Sequence, residues 1–168
     1  MGLNKPIFQL SIQELKDLIE EDIKRLEEDI GAGKVVNEYQ AQAYVDKLNA
    51  FLELNYFKGT LYRNVREVLQ NLKFFLKDAR DQADICKSKI EDARRVKKLK
   101  GQISLFDRYL LSDEEMARAI NDPDGFIEEL KKKKDEYDKD YKLGRFCCAY
   151  LMSHNTFFKI LYGGKDNA

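Results

Sequence analysis

Between Leu61 and Lys100 the chain contains neither glycine nor proline. A single helix over that span would be about 60 Å long at the usual rise per residue, roughly twice the width of a small domain. Such a helix needs partners of similar length. Its apolar positions Val65, Val68, Leu72, Phe75 and Ala79 step 3-4-3-4, and Ala83, Cys86, Ile90 and Ala93 resume with 3-4-3. Between Ala79 and Ala83 there is an extra step of four, a stutter that either unwinds a coiled coil locally or marks a bend near Asp78–Asp84. The stripe is bulky before residue 77 and thin after it.

The remaining helices follow from caps and periodicity. Ser11 with Glu14 forms a capping box. Ile12, Leu15, Ile19, Ile23, Leu26 and Ile30 then recur at helical spacing until Gly31-Ala32-Gly33 stops the run. Asn37 caps a second helix with an aromatic-rich face of Tyr44, Leu48, Phe51, Leu52 and Phe57, and Lys58-Gly59-Thr60 breaks it. Ser112 with Glu115 opens a short helix through Ile120, and residues 121–125 read as a turn. The last helix is expected from about Phe126 to Tyr162. Its heptad is Ile127, Leu130, Lys134, Tyr137, Tyr141, Gly144, Cys148, Leu151, Asn155, Phe158 and Tyr162.

These elements predict an all-α fold. The two long helices have opposite gradients, since residues 61–76 and 143–162 are apolar while 77–100 and 126–142 are charged. An antiparallel hairpin matches like with like. The first two helices complete a four-helix head of residues 1–76 and 143–164, and the charged halves form a coiled-coil arm over 77–142, all in one domain of 168 residues. The thin arm predicts support from a second copy, hence a homodimer.

Charge falls in blocks although its sum is zero. Residues 61–100 hold 12 basic and 6 acidic side chains, whereas residues 1–60 hold 7 and 11. The zero sum argues against bulk attraction to nucleic acid, so direct nucleic-acid binding is not expected. Cys86, Cys147 and Cys148 have no zinc-site spacing and read as reduced cytosolic thiols. No apolar run approaches a membrane span or a signal peptide, so a cytoplasmic protein is expected. There is no phosphate loop, nucleophile motif or metal set, and the sole histidine, His154, sits in an apolar stretch where it reads as an edge-of-core residue. A non-enzyme without cofactor is the expectation.

One short stretch points to a function. Gln102-Ile103-Ser104-Leu105-Phe106 follows Gly101 and a basic segment containing Arg94, Arg95, Lys97 and Lys98. An amide that both donates and accepts stands beside three apolar side chains, a composition suited to a hydrophobic groove. The stretch resembles the pentapeptide by which bacterial replication and repair proteins dock on the sliding clamp, with Ile103 where leucine is commoner. The alternative is that Ile103, Leu105, Phe106, Leu110 and Leu111 form the inner face of a short helix. With its length, helical class and lack of a catalytic site, the chain is similar to the early proteins with which staphylococcal phages inhibit the host clamp. The resemblance implies a bacterial β sliding clamp as partner, bound through Gln102, Ile103, Ser104, Leu105 and Phe106, with DNA loading or polymerase docking blocked.

Two charged surfaces accompany the peptide. The acidic face of the first helix (Glu14, Asp17, Glu20, Glu21, Asp22, Glu27, Glu28 and Asp29) could imitate a phosphate track inside a basic channel, or be an ordinary solvated face. Arg94–Lys100 and Lys131–Lys134 could touch phosphates, or be a solvated arm. A nucleic-acid-binding helical subunit and a structural oligomer therefore stand as alternatives.

Overall fold

The structure, a computed structural model, describes residues 6–54, 62–100, 102 and 108–163. It is all-helical, as expected. The α-helices are α1 (Ile12–Gly31), α2 (Glu38–Glu53), α3 (Val65–Lys98), α4 (Asp113–Asn121), α5 (Pro123–Met152) and α6 (His154–Phe157), with 3-10 turns at Ile7–Gln9 and Ile160–Tyr162. The described residues contain no strand, only an isolated antiparallel bridge between Ser11 and Asn64. No described helix is long and apolar enough to cross a membrane.

The caps form by the expected chemistry. Ser11 Oγ accepts the Glu14 N–H at 3.1 Å, and Glu14 Oε1 accepts the Ser11 N–H at 3.1 Å. Ser112 and Glu115 repeat the arrangement at 3.2 and 3.0 Å. Asn37 Oδ1 accepts from the Gln40 N–H at 3.0 Å. Each box satisfies backbone donors that the first helical turn leaves open. α3 starts at Val65, because Asn64 Oδ1 accepts the Glu67 N–H at 3.1 Å and caps it there. From Val65 the helix runs unbroken through Asp78–Asp84 for 34 residues.

The chain divides into two compact units, Met1–Phe75 with Leu143–Ala168, and Leu76–Lys142. The first unit buries Leu15, Ile19, Ile23 and Leu26 of α1, Ala41, Val45, Leu48 and Phe51 of α2, Val65, Val68 and Leu72 of α3, and Cys147, Tyr150 and Leu151 of α5. Removing each large aliphatic from water contributes about 1.5–3 kcal/mol. Phe51 and Tyr150 meet edge to face with centroids 6.1 Å apart. In the second unit Ile90, Ala93 and Val96 of α3, Ala119 of α4, and Phe126, Ile127 and Leu130 of α5 form one buried cluster. Tyr109, Leu111 and Met116 pack against it.

Two expectations for the last helix need correction. The turn at 121–125 shrinks to Asp122, and Pro123, Asp124 and Gly125 already belong to α5. Proline is well placed there, since its missing N–H is one that a first helical turn leaves unbonded. Asp122 Oδ1 caps the turn by accepting from the Gly125 N–H at 3.2 Å. The far end is also different: α5 stops at Met152, not near Tyr162. Ser153 leaves helical geometry at φ −137°, ψ 41°, and only a four-residue helix and a 3-10 turn follow. The heptad could not anticipate this, because beyond Ser153 the chain turns to serve polar partners on α1. It also missed Phe146, Cys147 and Tyr150, which are buried beside the predicted Cys148 and Leu151.

Candidate functional site

The end of α3 is built by a left-handed residue. Lys100 has φ 54° and its N–H donates to Lys97 O at 3.1 Å, while the Gln102 N–H donates to Leu99 O at 3.0 Å. This bonding closes the helix and leaves Gln102 exposed. Ile103, Ser104, Leu105 and Phe106 lie outside the described residues.

The chain is described again from Arg108, and there it lies against the same end of α3. Arg95 Nη2 donates to Arg108 O at 3.0 Å, and the guanidinium stands 4.4 Å from the centre of the Tyr109 ring. Asp92 Oδ2 accepts the Leu110 N–H at 2.7 Å, and its other oxygen is 3.5 Å from Arg95 Nη2. One helical turn thus grips the returning backbone with an acid and a guanidinium, and the guanidinium lies against the Tyr109 ring of that segment. The four basic residues marked in the sequence therefore differ in kind. Arg95 serves the fold, Lys97 pairs with Asp124 at 2.6 Å, and Arg94 and Lys98 are exposed. Leu110 does not join the buried cluster and is 53% exposed, whereas Leu111 packs against it. Lys131 and Lys134 are partnered along α5 by Glu128 and Asp138, at 3.5 and 2.8 Å.

The acidic candidates also divide. Asp17, Glu20, Glu21, Glu27 and Glu28 are exposed on α1. Glu14 is committed to its capping box, and Asp29 Oδ2 accepts the Tyr162 hydroxyl at 2.5 Å. Asp22, read from the sequence as part of the outer face, is buried. Its Oδ2 accepts the Tyr150 hydroxyl at 2.5 Å and lies 2.7 Å from His154 Nε2. Burial pushes the Tyr150 hydroxyl far above its ordinary value, and the Asp22 charge adds to this. Arg25 lies over Phe158 and Tyr162, 5.2 and 5.4 Å from the ring centres. Burial opposes its charge, but the Tyr162 hydrogen bond and the nearby acids outweigh that and hold the guanidinium above its usual range. Asp22, Arg25 and Asp29 share one side of α1 and hold the segment after Ser153.

A signal for Asp22 was present. Position 22 is three past Ile19 and four before Leu26, on the apolar stripe itself. The partners were not visible, since Tyr150 and His154 are 128 and 132 residues away.

No family model, curated protein or solved structure matches this chain. A functional reading must therefore come from its own residues. No group of three histidine, cysteine or acidic side chains is arranged for a metal ion among the described residues. Burial raises the Cys86, Cys147 and Cys148 thiols, which disfavours the reactive thiolate.

Proposed function

We propose that the protein is a non-enzymatic inhibitor that docks on the bacterial DNA polymerase III β sliding clamp and shuts off host replication. The observation that carries this reading is the sequence Gln102-Ile103-Ser104-Leu105-Phe106, which follows the end of α3 in the chain, with Gln102 exposed. In this reading the second unit is the arm of a helical hairpin that displays the peptide. The first unit is the head, and two copies act together in the host cytosol.

Magnitudes require more than the peptide. Burying an isoleucine, a leucine and a phenylalanine supplies roughly 1.5–3 kcal/mol each. Lost rigid-body freedom and loop ordering offset much of it. Five residues alone would reach about micromolar affinity, near −8 kcal/mol. The exposed carboxylates Asp17, Glu20, Glu21, Glu27 and Glu28 supply a second surface for a basic, DNA-accepting channel. Dimerisation adds avidity against a ring that is itself symmetric.

The rival reading, nucleic-acid binding through the basic segments, has less support. Arg95, Lys97, Lys131 and Lys134 each spend charge on a partner within the chain. The test is a titration against purified clamp, comparing wild type with a Gln102→Ala, Leu105→Ala, Phe106→Ala variant, with circular dichroism on both. Tight binding that the folded variant loses supports the reading. Absence of binding by the wild type ends it.

A further inference from the structure

His154 is the sole histidine of the chain. Its Nε2 lies 2.7 Å from Asp22 Oδ2, and a carboxylate only accepts, so Nε2 carries the proton. Tyr150 donates to the same oxygen at 2.5 Å, which fixes the acceptor as well as the donor. The imidazole meets Tyr150 and Phe158 edge to face, with ring centroids 5.1 and 5.4 Å away. The fold accounts for the Nε2 bond, because that bond helps to satisfy a buried carboxylate. It does not account for the other ring nitrogen. Nδ1 has no hydrogen-bond partner, and among the described residues no side-chain nitrogen or oxygen is both buried and unpartnered. Nδ1 is therefore open to solvent, on a side chain that is 25% exposed. An imidazole with a carboxylate behind one nitrogen and solvent before the other is arranged as a nucleophile. The carboxylate selects the tautomer and stabilises the imidazolium that forms when the free nitrogen is used.

We propose that His154 Nδ1 is a phosphoryl-accepting site, modified by a donor of the phosphoramidate class, with Asp22 as its positioning residue. This chemistry is independent of docking through residues 102–106. Two observations select a phosphoryl group. A metal ion would need further ligands, and no group of three histidine, cysteine or acidic side chains is arranged for one among the described residues. Phe158 is a common neighbour of the imidazole and of the Arg25 guanidinium, which stands 5.2 Å from its ring centre. A cation one ring away favours an anionic adduct. In the step, the Nδ1 lone pair attacks phosphorus and forms the new N–P bond. The donor's P–N bond breaks, and its electron pair leaves with the donor nitrogen, which is already protonated and departs as a neutral amine. The Nε2 proton stays against Asp22, whose charge offsets the new imidazolium.

The experiment incubates untagged full-length protein with potassium phosphoramidate at neutral pH and follows it by phosphorus NMR. Wild type, Asp22→Asn and His154→Gln are compared, with circular dichroism on each. With one histidine in the chain, every phosphohistidine signal reports this site, and the resonance distinguishes Nδ1 from Nε2 adducts. Folded wild type is expected to give the Nδ1 adduct. The same chain in urea, where Asp22 no longer holds Nε2, should end as the Nε2 adduct. His154→Gln should give neither. Asp22→Asn keeps the shape and an acceptor but not the charge. It should slow the reaction about a hundredfold, the lower end of what a positioned acid–base group contributes. An Nε2 adduct on the folded wild type, or no phosphohistidine there at all, overturns the proposal. So does a folded Asp22→Asn variant that reacts at the wild-type rate. Where Asp22→Asn does not fold, the position of the adduct on wild type decides by itself.

Discussion

Tyr150 and His154 converge on a single oxygen of Asp22, at 2.5 and 2.7 Å. The two residues are one helical turn apart in sequence, yet α5 ends between them at Met152. Their rings meet edge to face with centroids 5.1 Å apart, and Phe158 packs on His154 at 5.4 Å. A buried carboxylate is costly unless its lone pairs are used. The break at Ser153 goes with an arrangement that brings both donors to it.

The first prediction concerns this cluster. Asp22→Ala strands a buried hydroxyl and an imidazole nitrogen, and is expected to cost about 2–4 kcal/mol. Tyr150→Phe removes one donor to the same oxygen and should cost about 1–2 kcal/mol. Urea unfolding measures both. A cost for Asp22→Ala below that of an exposed change such as Glu20→Ala would show that the cluster does not hold the fold.

Alkaline pH provides a second check. Burial raises Cys147 above its unfolded value of 9.0 and Tyr150 above 10.0. The unfolded chain therefore releases these protons first, and binds fewer protons than the native state as pH rises. Their stabilising contribution is complete below about pH 8.5 and declines above it. Stability measured from pH 8 to 11 should fall, and a Cys147→Ala, Tyr150→Phe variant should show a shallower slope. An equal slope would remove both groups as the cause.

Gly125 offers a change in which the gain in helix propensity is cancelled by the loss of a cap. Alanine is ordinarily better than glycine inside a helix by about 1 kcal/mol. Here a Cβ would stand 2.8 Å from the Asp122 carboxyl carbon, which is folded over the first turn of α5 as its cap. Gly125→Ala is expected to displace the cap, and the loss of about 1 kcal/mol typical of an N-cap offsets the propensity gain, so that stability does not rise. A rise in thermal midpoint would mean that Asp122 swings away at no cost.

Lys100 gives the opposite case. It holds φ 54° with a full side chain, a conformation that costs a non-glycine residue about 1–2 kcal/mol. Lys100→Gly should relieve most of this, offset by the greater freedom of the unfolded chain, for a net gain of a few tenths to about 1 kcal/mol. Chemical unfolding reads the change, and a loss of stability would show that the Lys100 side chain makes a contact worth more than the strain.

Much of the fold was legible because it is written in local periodicity. The caps at Ser11, Asn37 and Ser112 depend on residues three apart, and each formed as read. The stripe of α3 appeared as predicted from Val65 to Ala93, with Phe75 only partly buried and with Leu69 and Val96 joining it. The second face of α5, through Phe146, Cys147 and Tyr150, escaped a heptad reading, since its aromatic residues meet Tyr44 and Phe51 of α2 and Asp22 of α1.

The sequence by itself determined the helical class and the caps, since each is settled by residues within a few positions of one another. It left open a bend near Asp78–Asp84, and the continuous helix, from Val65 to Lys98, is shorter than the 61–100 run. Only the tertiary structure decided that Asp22 faces inward to Tyr150 and His154, and that α5 ends at Met152. It likewise showed that Arg95 grips the backbone of Arg108 and stacks on Tyr109. Those outcomes join residues from 13 to 132 positions apart. A carboxylate or a guanidinium reads the same in a sequence whether it meets water or a buried partner, and only packing brings the partner to it.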